Sequence, residues 1–102
     1  MTESHDAPRP PRMTLDPDSR QVVVDGKPIS LSKTEFGVLQ FLMERRPEVC
    51  SRKEIIAAVR GEKYPVTERS VDVQIAYLRK KLGTAGKRIQ TVRGAGFRFQ
   101  GH

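Results

Sequence analysis

The stretch from Pro65 to Leu82 constrains the fold of this chain more than any other. Its large apolar residues recur at spacings of four, three and four, which puts them on one face of a helix that turns about 100° per residue. These residues are Val71, Ile75, Leu78 and Leu82. The opposite face mixes cations with apolar side chains and consists of Arg69, Val73, Ala76, Tyr77 and Lys80. We therefore predict one helix that packs on a core with the first face and presents the second face to the outside.

The outward face of this helix is unusual for a surface that only meets water. A valine, an alanine and a tyrosine lie among cations. Further polar residues flank them, namely Ser70, Gln74, Arg79 and Lys81. Cations on such a helix suit a polyanion, and the major groove of DNA admits an α-helix. The alternative is an ordinary amphipathic helix whose basic face is simply solvated.

Local signals specify both ends of the helix. Thr67 is placed to cap the free amides of the first turn, and Val66 and Val71 stand at the positions of a hydrophobic staple. Gly83 supplies the stop, because glycine readily takes the left-handed conformation that follows a last helical turn. The helix proper is therefore predicted to span 67–82.

The charge of the chain is unevenly distributed. Its 102 residues suffice for one domain with its own core, and its formal net charge is +7. Residues 1–59 contain nine Lys or Arg and nine Asp or Glu, whereas residues 60–102 contain ten and three. The entire excess thus coincides with the outward-facing helix and the segment after it. This favours nucleic acid over an acidic protein or an anionic membrane as the partner.

Cysteine and histidine are too sparse for a disulfide, a metal site or most catalysis. Cys50 is the single cysteine, and the two histidines, His5 and His102, stand near opposite ends. We expect no metal and no cofactor, and an enzyme is the least favoured class because no catalytic set of residues is recognisable. No apolar run approaches the roughly 20 residues that cross a bilayer, and no signal peptide is visible. A cytoplasmic protein is the resulting expectation.

The chain changes character at residue 13. Residues 1–12 contain three prolines and no apolar periodicity, which predicts a tether, while residues 13–102 are predicted to form the folded domain. Short β-branched segments with turn residues between them, including the hairpin signal Asp25-Gly26, follow up to Leu31. They predict a small antiparallel sheet.

Two helices are predicted after the sheet, over 32–46 and from 51 to about 59. Both start with the S-x-x-E pattern of a capping box, formed by Ser32 and Glu35 and by Ser51 and Glu54. The second is expected to pack through Ile55, Ile56, Ala58 and Val59. A short loop then leads into helix 67–82, which is helix-turn-helix organisation.

The C-terminal part predicts a polar connector from Thr84 to Arg88 and a β-hairpin over 89–100. Phe97 and Phe99 alternate with polar residues, so their rings are expected to face inward. Arg93 stands at the glycine-rich tip, where it is suited to a narrow A·T-rich minor groove. The alternative is a solvated turn arginine.

Three stretches of the chain carry a likeness to a known family. They are L-S-K-T-E-F over 31–36 with a leucine at 39, R-S-V-D-V-Q-I-A-Y-L-R-K-K-L over 69–82, and I-Q-T-V-R-G-A-G-F-R-F over 89–99. The last two, in this order and at this separation, are highly specific. Through them the chain resembles, over about residues 13–100, the winged-helix DNA-binding effector domain of OmpR/PhoB-type response regulators.

The resemblance implies a fold and a function. The fold is α+β, a winged helix-turn-helix with a four-stranded N-terminal antiparallel sheet, three helices and a C-terminal hairpin wing; three of these four strands are visible in the sequence. The function is sequence-specific binding of double-stranded DNA in transcription regulation by a two-component system. Helix 67–82 would enter the major groove and the wing, residues 89–100, the adjacent minor groove.

The resemblance also implies roles for individual residues. Base contacts fall to Val73, Gln74 and Tyr77, and Gln74 has the amide that pairs with an adenine edge. Backbone contacts fall to Arg69, Ser70, Arg79 and Thr91, to which the outward cations Lys80 and Lys81 are added. Arg93 is the expected minor-groove residue.

The resemblance implies binding partners, and the chain differs from the family pattern at three positions. The resemblance implies double-stranded DNA, read as tandem half-sites, an N-terminal receiver domain, and RNA polymerase as a partner of the loop from Gly61 to Val66. Tyr77 stands where a cation is common, Arg60 where many members have tryptophan, and Phe97 in place of a frequent tyrosine.

A protein-interaction module that uses Val73 and Tyr77 as anchors is the alternative function. Its binding would depend little on salt, whereas DNA binding weakens steeply as salt rises.

Overall fold

The computed structural model describes residues 12–59 and 67–101, which form an N-terminal sheet, three α-helices and a C-terminal hairpin. The elements in chain order are β1 (Met13–Asp16), β2 (Gln21–Val24), β3 (Lys27–Ser30), α1 (Lys33–Arg45), α2 (Arg52–Val59), α3 (Glu68–Leu82), β4 (Ile89–Val92) and β5 (Gly96–Phe99). A short 3-10 helix, Gly83–Arg88, connects α3 to β4. This is the predicted α+β winged-helix architecture.

The N-terminal sheet has the strand order β1-β2-β3 and is antiparallel throughout. Asp25 and Gly26 take φ values of 50° and 84°, the backbone that a tight two-residue hairpin requires, so this turn prediction is confirmed. Arg12, which precedes β1, is bonded to the turn between β2 and β3, because its N–H donates to Asp25 Oδ1 at 2.9 Å and its carbonyl accepts from Asp25 N–H at 2.9 Å. Residues 1–11, the rest of the predicted tether, lie outside the described part. The described residues form three of the four strands that the family resemblance implies.

Helix α1 has the predicted capping box. Glu35 N–H donates to Ser32 Oγ at 3.1 Å, and Ser32 N–H donates to Glu35 Oε1 at 2.9 Å. The predicted limits, 32 and 46, are its two caps, because the helix itself runs from Lys33 to Arg45. One face packs into the core through Phe36, Val38, Leu39, Leu42 and Met43.

Helix α2 begins with the second predicted capping box, in which Ser51 N–H donates to Glu54 Oε1 at 2.8 Å and Glu54 N–H donates to Ser51 Oγ at 3.1 Å. Ile55 and Val59 are buried and one turn apart. Ala58 was expected to pack but is exposed. It lies about 100° around the helix from Val59, and this short helix turns only a narrow stripe toward its neighbours.

The core lies between the helices and the hairpin. Its largest fully buried side chains come from all of these elements and include Leu39, Leu42, Ile55, Leu78 and Phe99. Cys50 connects the loop before α2 to the hairpin, since its N–H donates to Phe97 O at 2.7 Å and its carbonyl accepts from Phe97 N–H at 2.9 Å. Cys50 is a small, fully buried residue, as predicted, and its burial raises the pKa of its thiol against the opposing charge of Arg45.

The connector after α3 corrects a sequence prediction. Thr84 to Arg88 was expected to be a polar link, but Ala85, Gly86 and Arg88 are buried in the 3-10 helix. Arg88 lies 4.8 Å from the centre of the Phe99 ring and donates from Nε to Gln100 O at 2.9 Å. Burial lowers the pKa of Arg88, with the charge of Arg46 acting in the same direction. The ring and the carbonyl are two of the contacts that hold inside the fold a cation that composition alone would assign to solvent.

Candidate nucleic-acid interface

Helix α3 begins and ends as its local signals predict. Ser70 N–H donates to Thr67 Oγ1 at 3.1 Å, and Thr67 N–H donates to Ser70 Oγ at 2.8 Å, which is a reciprocal capping box. Thr67 is thus the cap, and the helix starts at Glu68 rather than at Pro65. Gly83 ends it with a φ of 61°. Pro65 and Val66, the other member of the predicted staple, lie outside the described residues.

The two faces of α3 differ as the sequence pattern requires. The inward face is buried along its whole length and consists of Val71, Ile75, Leu78 and Leu82. On the outward face Val73 is 41% exposed and Tyr77 is 52% exposed, while Arg69, Ala76 and Lys80 are also exposed. Tyr77 therefore points away from the core. The prediction of one buried and one presented face is confirmed.

Arg79 ties α3 to the hairpin. Its Nε and Nη2 donate to Ile89 O at 3.1 and 2.8 Å, and Nη2 also donates to Thr91 Oγ1 at 2.9 Å. Ile89 and Thr91 belong to β4, so a three-bond fork holds the C-terminal half of α3 beside the first strand of the hairpin. The Nη1 group of Arg79 and the hydroxyl proton of Thr91 have no part in these bonds.

Lys81 is engaged within the domain. Its Nζ donates to Glu35 Oε1 at 2.6 Å, and the Glu35 side chain is 5% exposed. Burial by itself would raise the pKa of Glu35, but hydrogen bonds from Lys81 and from Ser32 N–H, together with the Lys81 charge, outweigh it and lower that pKa. One carboxylate thus caps α1 and receives a cation from α3.

Ser70 and Gln74, two further predicted DNA contacts, are half-buried on the flank of α3. The Ser70 hydroxyl donates its proton to Thr67 O at 2.8 Å. Gln74 Oε1 is buried without a hydrogen-bond partner, so the side-chain amide turns its acceptor toward the protein. Both residues are thus less exposed than Lys80.

The hairpin presents Arg93 at its tip. Arg93 is exposed, and the turn closes by a bond from Ala95 N–H to Val92 O at 2.9 Å. Phe97 and Phe99 are buried behind it, at 3% and 0% exposure, which confirms their predicted inward direction. The strand next to α3 is β4, because it supplies both acceptors of the Arg79 fork.

Arg52 supports the site and was missed by the sequence analysis. Its Nε donates to Asp72 Oδ1 at 2.7 Å, and its guanidinium lies 5.0 Å from the centre of the Phe97 ring. Arg52 thereby joins α2, α3 and the hairpin. No local pattern reveals this contact, because Arg52 and Asp72 are 20 residues apart.

Other kinds of site find little support in the described ranges, 12–59 and 67–101. No three His, Cys, Asp or Glu side chains there are grouped as a metal ion would need. None of the described helices is both long and apolar enough to pass through a lipid bilayer. Arg60 and the loop from Gly61 to Val66 lie outside these ranges.

The sequence of this chain matches a known protein family and several of its members. The family model described as "Transcriptional regulatory protein, C terminal" matches residues 26–99. The phosphate regulon transcriptional regulatory protein PhoB of Pseudomonas aeruginosa is 43% identical over 88 residues, which cover 85% of this chain and 38% of that protein. The transcriptional regulatory protein TrcR of Mycobacterium tuberculosis is 45% identical over 86 residues, which cover 83% of this chain and 34% of that protein. The chain therefore spans less than two fifths of the length of these relatives.

Solved structures agree with the sequence match. The RstA DNA-binding domain of Klebsiella pneumoniae, in complex with the RstA box, superposes with a TM-score of 0.73 at 39% identity, covering 88% of this chain and 92% of that one. The DNA-binding domain of the response regulator AdeR, in complex with an intercistronic region, gives 0.74 at 27% identity, covering 88% and 95%. The chain thus belongs to the family of C-terminal domains of transcriptional regulatory proteins, and the resemblance drawn from its sequence is confirmed.

Proposed function

We propose that this domain binds double-stranded DNA in a sequence-specific manner and regulates transcription as the effector part of a two-component response regulator. One observation carries the proposal: the Arg79 fork joins the cationic helix α3 to β4, the first strand of the arginine-tipped hairpin, so the two elements lie side by side. Helix 67–82 enters the major groove, and the wing, residues 89–100, enters the adjacent minor groove. Two similar DNA-binding domains of known structure, that of AdeR in complex with an intercistronic region and that of RstA in complex with the RstA box, support this proposal.

The contacts divide by chemistry. Val73, Tyr77 and Gln74 face the bases, although Gln74 must first turn its amide outward. Phosphates are met by the exposed cations Arg69 and Lys80, and by Arg79, Lys81 and Thr91 with the donors that their internal bonds leave free. Ser70 contacts a phosphate by turning its hydroxyl proton away from Thr67 O. Arg93 enters the minor groove. Since Arg79 and Lys81 also hold the domain together, Lys80 offers the cleanest test of phosphate contact.

The whole protein has further proposed partners. A receiver domain would account for the remaining length of the relatives, of which this chain spans 38% in the P. aeruginosa protein. One module buries only about 600 to 1,000 Å² of protein surface on DNA, so tight binding calls for two copies on tandem half-sites about one helical turn apart. Such a regulator acts in the cytoplasm, and RNA polymerase is the proposed partner of the loop from Gly61 to Val66.

The salt dependence of binding tests the proposal. A duplex selected from a random pool should bind with an affinity that falls steeply as salt rises, because phosphate contacts release counterions. Lys80→Ala should reduce the slope of log K against log salt by about 0.9 for each phosphate lost. Lys27→Ala removes the same charge from an exposed position of the N-terminal sheet and serves as the control. Equal slopes for the two variants would exclude Lys80 as a phosphate contact.

The same measurement distinguishes DNA binding from the alternative function, a protein-interaction module. Exposed Val73 and Tyr77 also suit a protein-interaction module, since aromatic and apolar anchors dominate such interfaces. In that case the chain would select no duplex sequence, and its binding to a protein partner would change little with salt. A selected sequence with a steep slope excludes this alternative.

A further inference from the structure

The exposed face of α3 has an apolar middle between cationic ends. Arg69 and Lys80 are about 16 Å apart along the helix axis, at roughly 1.5 Å per residue. Between them the exposed residues are Asp72, Val73, Ala76 and Tyr77. Asp72 is held by Arg52 at 2.7 Å on the side of α2, so the other three form the middle of the surface. We call Val73, Ala76 and Tyr77 the apolar stripe.

The stripe is exceptional among the residues that the structure describes. Among the described residues three large hydrophobic side chains are exposed, and two of them, Val73 at 41% and Tyr77 at 52%, belong to the stripe. Burying such surface against a partner is favourable, and no element of the described domain covers it. Because cations lie at both ends of the stripe, a fitting partner carries negative charge at its edges and apolar groups between them. A DNA groove, which is lined by phosphates, has this arrangement.

The groove offers the stripe one apolar group. In the major groove guanine, cytosine and adenine expose hydrogen-bonding atoms, and thymine adds the C5-methyl group. The commonest guanine contact is a bidentate arginine or lysine, and the middle of this face has neither. Gln74, the residue suited to adenine, keeps its acceptor buried. Apolar contact with methyl groups is the readout that the exposed side chains of the stripe make without any rearrangement.

We infer that the apolar stripe recognises C5-methyl groups of adjacent thymines, so that the centre of each half-site is read by methyl contact rather than by a bond to guanine. This inference rests on the proposed DNA-binding function and specifies its ligand. Val73 and Tyr77 are about 6 Å apart along the helix, which limits the methyl contacts to roughly two or three neighbouring base pairs.

Deoxyuridine tests the inference directly, because it pairs like thymidine and lacks only the C5-methyl group. Starting from the duplex selected by the whole chain, each thymine is replaced singly by deoxyuridine. We expect about a fourfold loss of affinity at each contacted thymine, the value of one methyl group removed from water. The sensitive thymines should be neighbours. A selected site at which every replacement is neutral would overturn the inference while leaving the proposed function intact.

Variants identify the residues that read the methyl groups. Val73→Ala should bring the thymine-to-uracil affinity ratio close to one at a sensitive position, as expected for directly coupled groups. Val49→Ala is the matched control, since Val49 is the other exposed valine among the described residues, at 36%, and lies between α1 and α2. If Val73→Ala leaves the thymine-to-uracil affinity ratio unchanged, or if both variants change it equally, Val73 does not contact the methyl group.

Two changes at Tyr77 complete the experiment. Tyr77→Phe keeps the ring and should keep the thymine preference, whereas loss of that preference would assign the contact to the hydroxyl. Tyr77→Arg should move the selected base toward guanine, because arginine binds guanine O6 and N7 in bidentate fashion. All of these side chains are exposed, so the fold should tolerate each change. A chain that selects no duplex at all would instead overturn the proposed function and, with it, this inference.

Discussion

The pair formed by Glu35 and Lys81 shows how tertiary contact reassigns a charged residue. In the sequence Lys81 belongs to a run of cations at the end of α3 and Glu35 to a capping box 46 residues earlier. In the folded domain the carboxylate is buried, and the ammonium is its charged partner. Lys81 is therefore expected to affect stability as well as DNA binding.

Removal of the ammonium should destabilise the domain. Lys81→Ala leaves a buried carboxylate without its charged donor, and we expect the free energy of unfolding to fall by about 1–3 kcal/mol. Chemical denaturation at neutral pH measures the change. Lys87→Ala, at an exposed position of the 3-10 helix, is the control and should have almost no effect. Equal losses in the two variants would mean that the pair contributes nothing specific.

Acid should weaken the same contact. The pKa of Glu35 is lowered in the folded state, so its contribution to stability is present above the unfolded pKa and is lost as pH falls through the folded pKa. With an unfolded pKa of about 4.3, that contribution should be complete above about pH 5 and decline below about pH 4. Glu35→Gln should therefore be less stable than the wild type at neutral pH, and the difference should shrink in acid. Melting temperatures over a pH series provide the measurement, and a constant difference would contradict this role.

The hairpin shows, at the scale of an element, that two glycines two residues apart, Gly94 in the turn and Gly96 at the start of β5, serve different purposes. Gly94 has a φ of 76° with no atom within 4 Å of a Cβ built on it. Gly96 has a φ of 143°, and a Cβ there would lie 2.0 Å from Cys50 O. Gly94 meets a conformational requirement, whereas Gly96 also lets the loop before α2 approach the hairpin backbone.

Alanine at each glycine should separate the two effects. Gly94→Ala should cost about 1–2 kcal/mol, the strain of a side chain in left-handed backbone. Gly96→Ala should cost at least about 1 kcal/mol more, because it also displaces Cys50 from its two hydrogen bonds with Phe97. Urea unfolding gives the free energies of unfolding. Amide hydrogen exchange at Cys50 and Phe97 shows whether the two hydrogen bonds between these residues remain intact. Similar losses with equal exchange protection would show that the close approach is unimportant.

At the scale of the whole molecule, helix and hairpin are expected to act together on two grooves. Arg79 links them, and Arg93 lies at the exposed tip of the hairpin. Narrow A·T-rich minor grooves attract arginine through their negative potential. A duplex whose flank is A·T-rich should therefore bind more tightly than one whose flank is G·C-rich.

Arg93→Ala tests this arrangement. The preference for the A·T-rich flank should fall about fivefold or more, in line with the cost of losing a base-pair-level contact. The thymines read by α3 should remain selected, because α3 is unchanged. Lys27→Ala controls for the loss of one positive charge. If Arg93→Ala weakens binding to both flanks equally, the arginine contacts phosphate and does not read the minor groove.

The exposure of side chains on α3 could be predicted where it depends on periodicity, whereas their contacts within the domain, which depend on neighbouring elements, could not. The exposure of Val73 and Tyr77 follows from their place opposite a buried stripe, a property of the helix alone. The helix pattern does not reveal that Arg79 and Lys81 form bonds within the domain, because their acceptors belong to other elements. It also does not reveal that the acceptor of Gln74 is buried, because that depends on how the side chain packs. Sequence reasoning treated these three as free DNA contacts for that reason.

What the sequence determined by itself is the local framework: the two capping boxes of α1 and α2, the cap of α3, the Asp25-Gly26 turn and the two faces of the central helix. These features depend on residues within about one helical turn or one hairpin of each other, so local hydrogen bonding and side-chain periodicity suffice. Tertiary structure alone decided which cations remain available to a ligand, and it buried Arg88 and brought Arg52 to Asp72. A charged side chain pairs with whatever the folded chain places beside it, and that neighbour can come from any distance along the sequence.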